Sequence, residues 1–203
     1  MRRAAESAVR VMSTITPGLD LRVAVIGGFA LLQHLPDPKP TDDVDFLVHI
    51  ADFAPLQGLY PGGPGQFIVS HLVAGNSPLF KDDSLLILDD YAVIHMATGV
   101  RVQFHNDRVV PYVPACAMRP TGDGFVAFAP PEDLLVFALV STPRRAGTEG
   151  RSKDADAAVD LFKAASIHGV MKLSSLQRDT ARAALPDFIA RSDRSMDWWM
   201  QSL

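Results

Sequence analysis

The chain of 203 residues holds a single cysteine, Cys116. One thiol cannot close an intramolecular disulfide, and a cysteine-rich zinc site is excluded with it. No apolar run reaches the roughly 18–20 residues that would cross a bilayer as a helix. The histidines His34, His49, His71, His95, His105 and His168 show neither HxH nor HxxxH spacing, so each reads as structural. An excess of basic charge is also missing. Lys and Arg number 19 against 23 Asp and Glu, a net charge of −4. That balance argues against a general nucleic-acid or anionic-membrane binder. The start of the chain, MRRAAESAVRVMSTI, lacks a continuous apolar core and makes a poor signal peptide, and Glu6 counts against an organelle presequence. The expectation is a cytoplasmic protein without a membrane segment. A hydrophobic content of 48% and a charged content of 21% are ordinary for a globular chain. The length suits one domain or two small ones.

What the chain does have is concentrated in residues 23–49, VAVIGGFALLQHLPDPKPTDDVDFLVH. A β-branched run over 21–26 predicts a buried strand. Gly27 and Gly28 then turn the chain into a short helix over about 29–35, which Pro36, Pro38 and Pro40 stop. In the next strand Val44, Phe46 and Val48 alternate with Asp43, Asp45 and Leu47. Residues at i and i+2 of a strand share a face, so Asp43 and Asp45 point the same way. Paired carboxylates on one face suit a divalent cation, and a double glycine lets backbone N–H groups approach an anion. Together they point to phosphoryl or nucleotidyl chemistry.

Apolar spacing at Ala5, Val9, Met12 and Ile15 predicts a helix over 2–14, ended by Pro17 and Gly18. Residues 51–58 read as a helical turn or two, PGGPG (61–65) as a loop, and 66–73 and 84–88 as strands. The runs 91–96 and 100–105, separated by Ala97-Thr98-Gly99, predict a hairpin. Its second run puts Arg101, Gln103 and His105 on one face. Residues 125–128 read as one more short strand. From Pro130 onward the pattern is helical: one helix after Pro130-Pro131-Glu132-Asp133, a basic connection over 143–151 with Arg144, Arg145 and Arg151, a helix over about 153–167 capped by Ser152, and two more at about 173–184 and 187–200. The expected fold is α/β (α+β), with a mixed sheet and helices over 1–129 and a helical segment over 130–203.

The motifs GGFA (27–30), TDDVD (41–45), PEDLL (131–135) and RSKDAD (151–156), in this order, resemble the nucleotidyltransferase superfamily. The likeness is nearest to its GG-x-A branch, which includes AbiEii-type toxins and aminoglycoside nucleotidyltransferases. It implies that Asp43 and Asp45 bind Mg²⁺ on a nucleoside triphosphate such as ATP. By the same resemblance Gly27 and Gly28 contact the triphosphate, and Thr41 supplies a hydroxyl just ahead of the carboxylates. Lys153 would meet phosphate, and Asp154 would orient it or act on the acceptor. The implied cleft is lined by Gly27, Asp43, Asp45, Gln103 and Lys153.

Two departures from that pattern matter. Gln103 stands where active members of the superfamily usually carry a third carboxylate, and a neutral amide is a poor Mg²⁺ ligand or base. His105, two residues on, and Asp107 are nearby groups that lie off the matching position. Lys39 stands where many GG-x-A members have arginine, keeping the charge and losing the bidentate fork. The function this implies is Mg²⁺-dependent transfer of NMP to a small-molecule or macromolecular hydroxyl. The alternative is a nucleotidyltransferase-fold protein without transfer activity, acting as a binding module or with its cleft reused for other small-molecule chemistry. The expected partner is a small-molecule ligand or nucleotide.

Overall fold

The structure, a computed structural model, describes residues 1–16, 18–74, 85–106, 110–142, 148–168 and 171–203, with only the backbone described at 73–74, 148–152 and 165–168. It is an α+β protein: among the described residues a five-stranded mixed sheet accompanies seven α-helices. The chain divides into two compact units. The first comprises Met1–Ala30, Lys39–Asp107 and Val113–Ala129, and the second Leu31–Pro38, Arg108–Tyr112 and Pro130–Leu203. No helix among the described residues is long and apolar enough to cross a membrane.

The first unit is built on β1 (Leu21–Ile26), β2 (Asp43–Ile50), β3 (Leu85–Asp89), β4 (Ala92–His95) and β5 (Val100–Asn106), in the order β1-β2-β5-β4-β3. β1 and β2 are antiparallel, β3, β4 and β5 form an antiparallel meander, and β2 pairs with β5 in parallel. The β-branched and aromatic residues that favour a pleated surface supply the core: Val44, Phe46, Val48, Val102 and Phe104 are buried. Phe46 and Phe104 are register partners, stacked with ring centroids 5.9 Å apart. Burying each ring contributes about 1.5–3 kcal/mol.

The helix α1 (Arg2–Ile15) buries Ala4, Ala5, Ala8, Val9 and Met12 on one face, as its apolar spacing predicts. α2 (Gly27–Leu31) is shorter than the sequence suggests and begins on the glycines themselves. The turn expected over 51–58 is a 3₁₀ helix at Ala54–Leu56. The expected strand over 66–73 is instead part of α3 (Pro64–Ala74). Pro64 supplies a helix start, and Phe67, Ile68, Val69 and Leu72 are buried, a nearly continuous apolar run in which the helical period is hidden. The last two residues of the expected PGGPG loop therefore belong to α3. Residues 125–128 form no strand; they run beside β1, where the Val25 N–H donates to Ala127 O at 2.7 Å and the Ala129 N–H to Val25 O at 2.9 Å.

In the second unit α4 (Pro131–Ser141) is buried nearly all round, through Leu134, Leu135, Val136, Phe137, Leu139 and Val140. α5 (Thr148–His168) and α6 (Ser175–Ile189) pack on it. α5 begins before the expected cap, so Ser152 lies inside it. α6 runs through Pro186 rather than ending ahead of it, and α7 (Met196–Ser202) starts later than expected. Leu185 and Phe188, on either side of that proline, are fully buried and hold the turn in place, and Phe188 meets the buried Trp199 at 5.3 Å.

A polar tie fixes the start of α6. Gln177 closes a capping box with Ser174, and its Nε2 donates to Asp133 Oδ1 at 2.7 Å. Asp133 is 2% exposed. Burial raises its pKa above the ordinary carboxylate value, the contacts with Gln177 and Tyr112 pull it back in part, and Glu132 pushes it up again. The Tyr112 hydroxyl is buried beside the same carboxylate without the alignment of a hydrogen bond; burial first, and the Asp133 charge second, raise the phenol above its ordinary value. The folded state thus holds a proton on Asp133 at a pH where the unfolded chain has released it. Stability falls as pH rises from the ordinary carboxyl value through the raised one. Asp133→Asn keeps the acceptor oxygen and removes the titration. The variant's thermal midpoint relative to wild type should therefore climb over the range above the ordinary carboxyl value of about 4. A difference flat across that range in thermal denaturation would contradict a raised carboxyl.

Candidate functional site

The candidate site lies in the first unit, on the face of β2 and β5 that carries Asp43, Asp45, Gln103 and His105. The parallel register sets Asp43 against Arg101, Asp45 against Gln103 and Leu47 against His105. Both carboxylates are held by donors. Thr41 Oγ1 donates to Asp43 Oδ1 at 2.8 Å, and Gln103 Nε2 donates to Asp43 Oδ2 at 2.9 Å. His105 Nε2 donates to Asp45 Oδ1 at 2.8 Å. A carboxylate only accepts, so the Gln103 amide must turn its nitrogen to Asp43 and His105 must carry its hydrogen on Nε2. The Asp45 side chain is 18% exposed and that of His105 40%, which places the pair at the edge of solvent.

The double glycine packs directly on these groups. β1 is antiparallel to β2 with Ile26 opposite Asp45, so Gly27 leaves the sheet at the level of that acid. Gly27 has φ +65°, in the left-handed region, and a Cβ there would run into Asp45 Oδ2. A Cβ on Gly28 would lie 2.7 Å from Thr41 Oγ1. A double glycine at a strand-to-helix turn suits phosphate approach. The structure adds a second reason for them, because the carboxylate and hydroxyl occupy the space a side chain would need. The five-residue α2 has little macrodipole to offer an anion.

The residues expected to act together are placed as follows. Gly27, Gly28, Thr41, Asp43, Asp45 and Gln103 come together in the first unit. Lys39 is exposed two residues ahead of Thr41. Lys153 and Asp154 belong to the second unit. There Lys153 is exposed, and Asp154 Oδ2 accepts a hydrogen bond from Ser141 Oγ at 2.9 Å, tying α5 to α4. Asp107, Arg144 and Arg145 lie outside the described residues, as does the side chain of Arg151. The sequence marked His105 only for sharing a face with Gln103. Its bond to Asp45 depends on a register between strands some 60 residues apart, which no local signal reports. The bond from Thr41 to Asp43 is a short-range contact of a kind that serine and threonine often make, and is readable from TDD itself.

Carboxylate oxygens suit a hard cation such as Mg²⁺, and each still has lone pairs beyond the bonds described. Among the described residues no group of three or more His, Cys, Asp or Glu side chains is arranged to hold a metal ion. What the described residues of this face offer a cation is two acids, with the Gln103 amide turned nitrogen-first toward Asp43.

The contact between Gly27 and Asp45 is testable through stability. Gly27→Ala should cost about 1–3 kcal/mol from backbone strain together with the collision. In the background of Asp45→Ala the same change should cost less, because the colliding carboxylate is gone. Urea denaturation of the four proteins measures the coupling, and strictly additive losses would rule out the contact.

No protein-family model and no curated protein matches this chain. Among solved structures the chain is similar to the crystal structure of an antigenic nucleotidyltransferase-like protein from Paracoccidioides brasiliensis, at 14% identity and a TM-score of 0.46, with 95% of each chain covered. A likeness of that size carries no argument about activity.

Proposed function

We propose that the chain is a nucleotidyltransferase-like protein that binds a nucleoside triphosphate with Mg²⁺ at Asp43 and Asp45 and transfers its NMP to an acceptor hydroxyl. The observation that carries this reading is the packing of the Gly27–Gly28 turn on Asp45 and Thr41, beside two carboxylates on one strand face. In the reaction the acceptor hydroxyl gives its proton to solvent as its oxygen attacks the α-phosphorus, the bond to the β-phosphate oxygen breaks, and pyrophosphate leaves. Mg²⁺ would offset charge on the phosphates. The chain's own part is to hold two acids in fixed orientation through Thr41, Gln103 and His105, and to offer a glycine turn without side chains beside them. The net charge of −4 favours a small-molecule or protein acceptor over a nucleic acid.

A second reading, nucleotide binding without transfer, is favoured by one observation. Gln103 stands where the resemblance expects a third carboxylate, and it donates to Asp43. Its neutral amide supplies neither a charged ligand nor a base.

Calorimetric titration with each nucleoside triphosphate, with and without Mg²⁺, tests both readings. Binding is expected to require Mg²⁺ and to weaken about tenfold or more in Asp45→Ala, a loss in the range of a removed charged contact. Release of labelled pyrophosphate would establish transfer, and binding without release would establish the second reading. Absence of nucleotide binding with Mg²⁺ present would sink both.

A further inference from the structure

The two acids of β2 are held by one repeated geometric step. Each is bonded to the β5 residue two positions beyond its register partner: Asp43 pairs in register with Arg101 and accepts from Gln103, and Asp45 pairs in register with Gln103 and accepts from His105. A diagonal reach of this kind lies within range of long side chains on neighbouring strands. The two acids differ at their other oxygen. Asp43 Oδ1 takes the Thr41 hydroxyl, whereas Asp45 Oδ2 lies over Gly27. Asp45 is therefore the acid presented toward the turn, and His105 is the donor that sets its rotation.

We propose that His105 is a positioning residue for ligand binding: its Nε2–H fixes the Asp45 carboxylate so that Oδ2 faces the Gly27 turn. This deepens the nucleotide-site reading and rests on it. A purely structural role would call for a buried ring, yet the side chain is 40% exposed, against 18% for the carboxylate it holds. The ring adds little core, and what it supplies is a directed donor. The chain also shows what can replace it. Gln103 performs the same diagonal reach onto Asp43 at 2.9 Å, so glutamine at 105 has the length and the donor to do so for Asp45.

The test uses the full chain as wild type, His105→Gln and His105→Leu, with Mg²⁺ and ATP as the probe. His105→Leu should weaken binding about tenfold, and His105→Gln should stay within about threefold of wild type, because only the donor matters. Unchanged binding in His105→Leu overturns the proposal. So does an equal loss in both variants, which would mean that the imidazole itself is used. The ¹³C signal of the Asp45 carboxyl provides a readout that needs no nucleotide: it should move in His105→Leu and stay near its wild-type position in His105→Gln. If wild type binds no nucleotide, the functional reading fails and this signal decides the tie alone, a shift confined to His105→Leu supporting it and no shift in either variant overturning it.

Discussion

A parallel strand pair cannot be closed by a turn, and the candidate site depends on one. β2 ends at Ile50 and β5 begins at Val100, so the chain between them must leave the sheet and return in the same direction. It does so through α3 and the meander of β3 and β4. The return sets Phe46 against Phe104 in the core and, on the opposite face, brings Gln103 and His105 to the two acids. Core and site share one register. A slip of one residue would turn the acids inward and the phenylalanines outward, so the buried aromatic pair holds the polar constellation in place.

The glycine turn is the second constraint, and it is local. Gly27 and Gly28 touch Asp45 and Thr41 through space that any side chain would fill. Their presence is accounted for by packing before a ligand is invoked. A side chain at either glycine would displace the Asp45 carboxylate or the Thr41 hydroxyl, so the turn is shaped by the same groups that line the strand face. That ordering separates what the double glycine does for the fold from what it offers to chemistry.

Where periodicity of two was clear, the sequence was enough. The alternation in β2, the β-branched run of β1 and the hairpin of β4 and β5 were all legible, as was the face shared by Asp43 and Asp45. α3 was not, because its buried Phe67, Ile68, Val69 and Leu72 form a run without a visible period, and only Pro64 marks it as a helix. The passage of α6 through Pro186 was hidden for a related reason: the burial of Leu185 and Phe188 outweighs the local cost of the proline. In the site, residue types and shared faces could be read but partners could not. Asp154 illustrates the gap. The resemblance gave it a catalytic role, and its described partner is the Ser141 hydroxyl on a neighbouring helix.

The charge at the site bears on which of the two functional readings holds. Side chains at i and i+2 of a strand sit about 7 Å apart, and at an effective dielectric near 20 two carboxylates at that distance repel by about 2 kcal/mol. The bonds from Thr41, Gln103 and His105 each return about 1 kcal/mol, enough to hold both acids in place without a cation. A third carboxylate at position 103 would remove one donor and add a repulsion, so the acids would be held less firmly in the absence of a cation. With glutamine there, both acids have donors as the site stands, and on the proposed reading a cation would add affinity for a ligand rather than integrity to the fold. Nucleotide binding therefore makes less demand on this geometry than transfer does. Transfer requires the cation to be held firmly enough to act on the α-phosphate, by two acids that already have other partners.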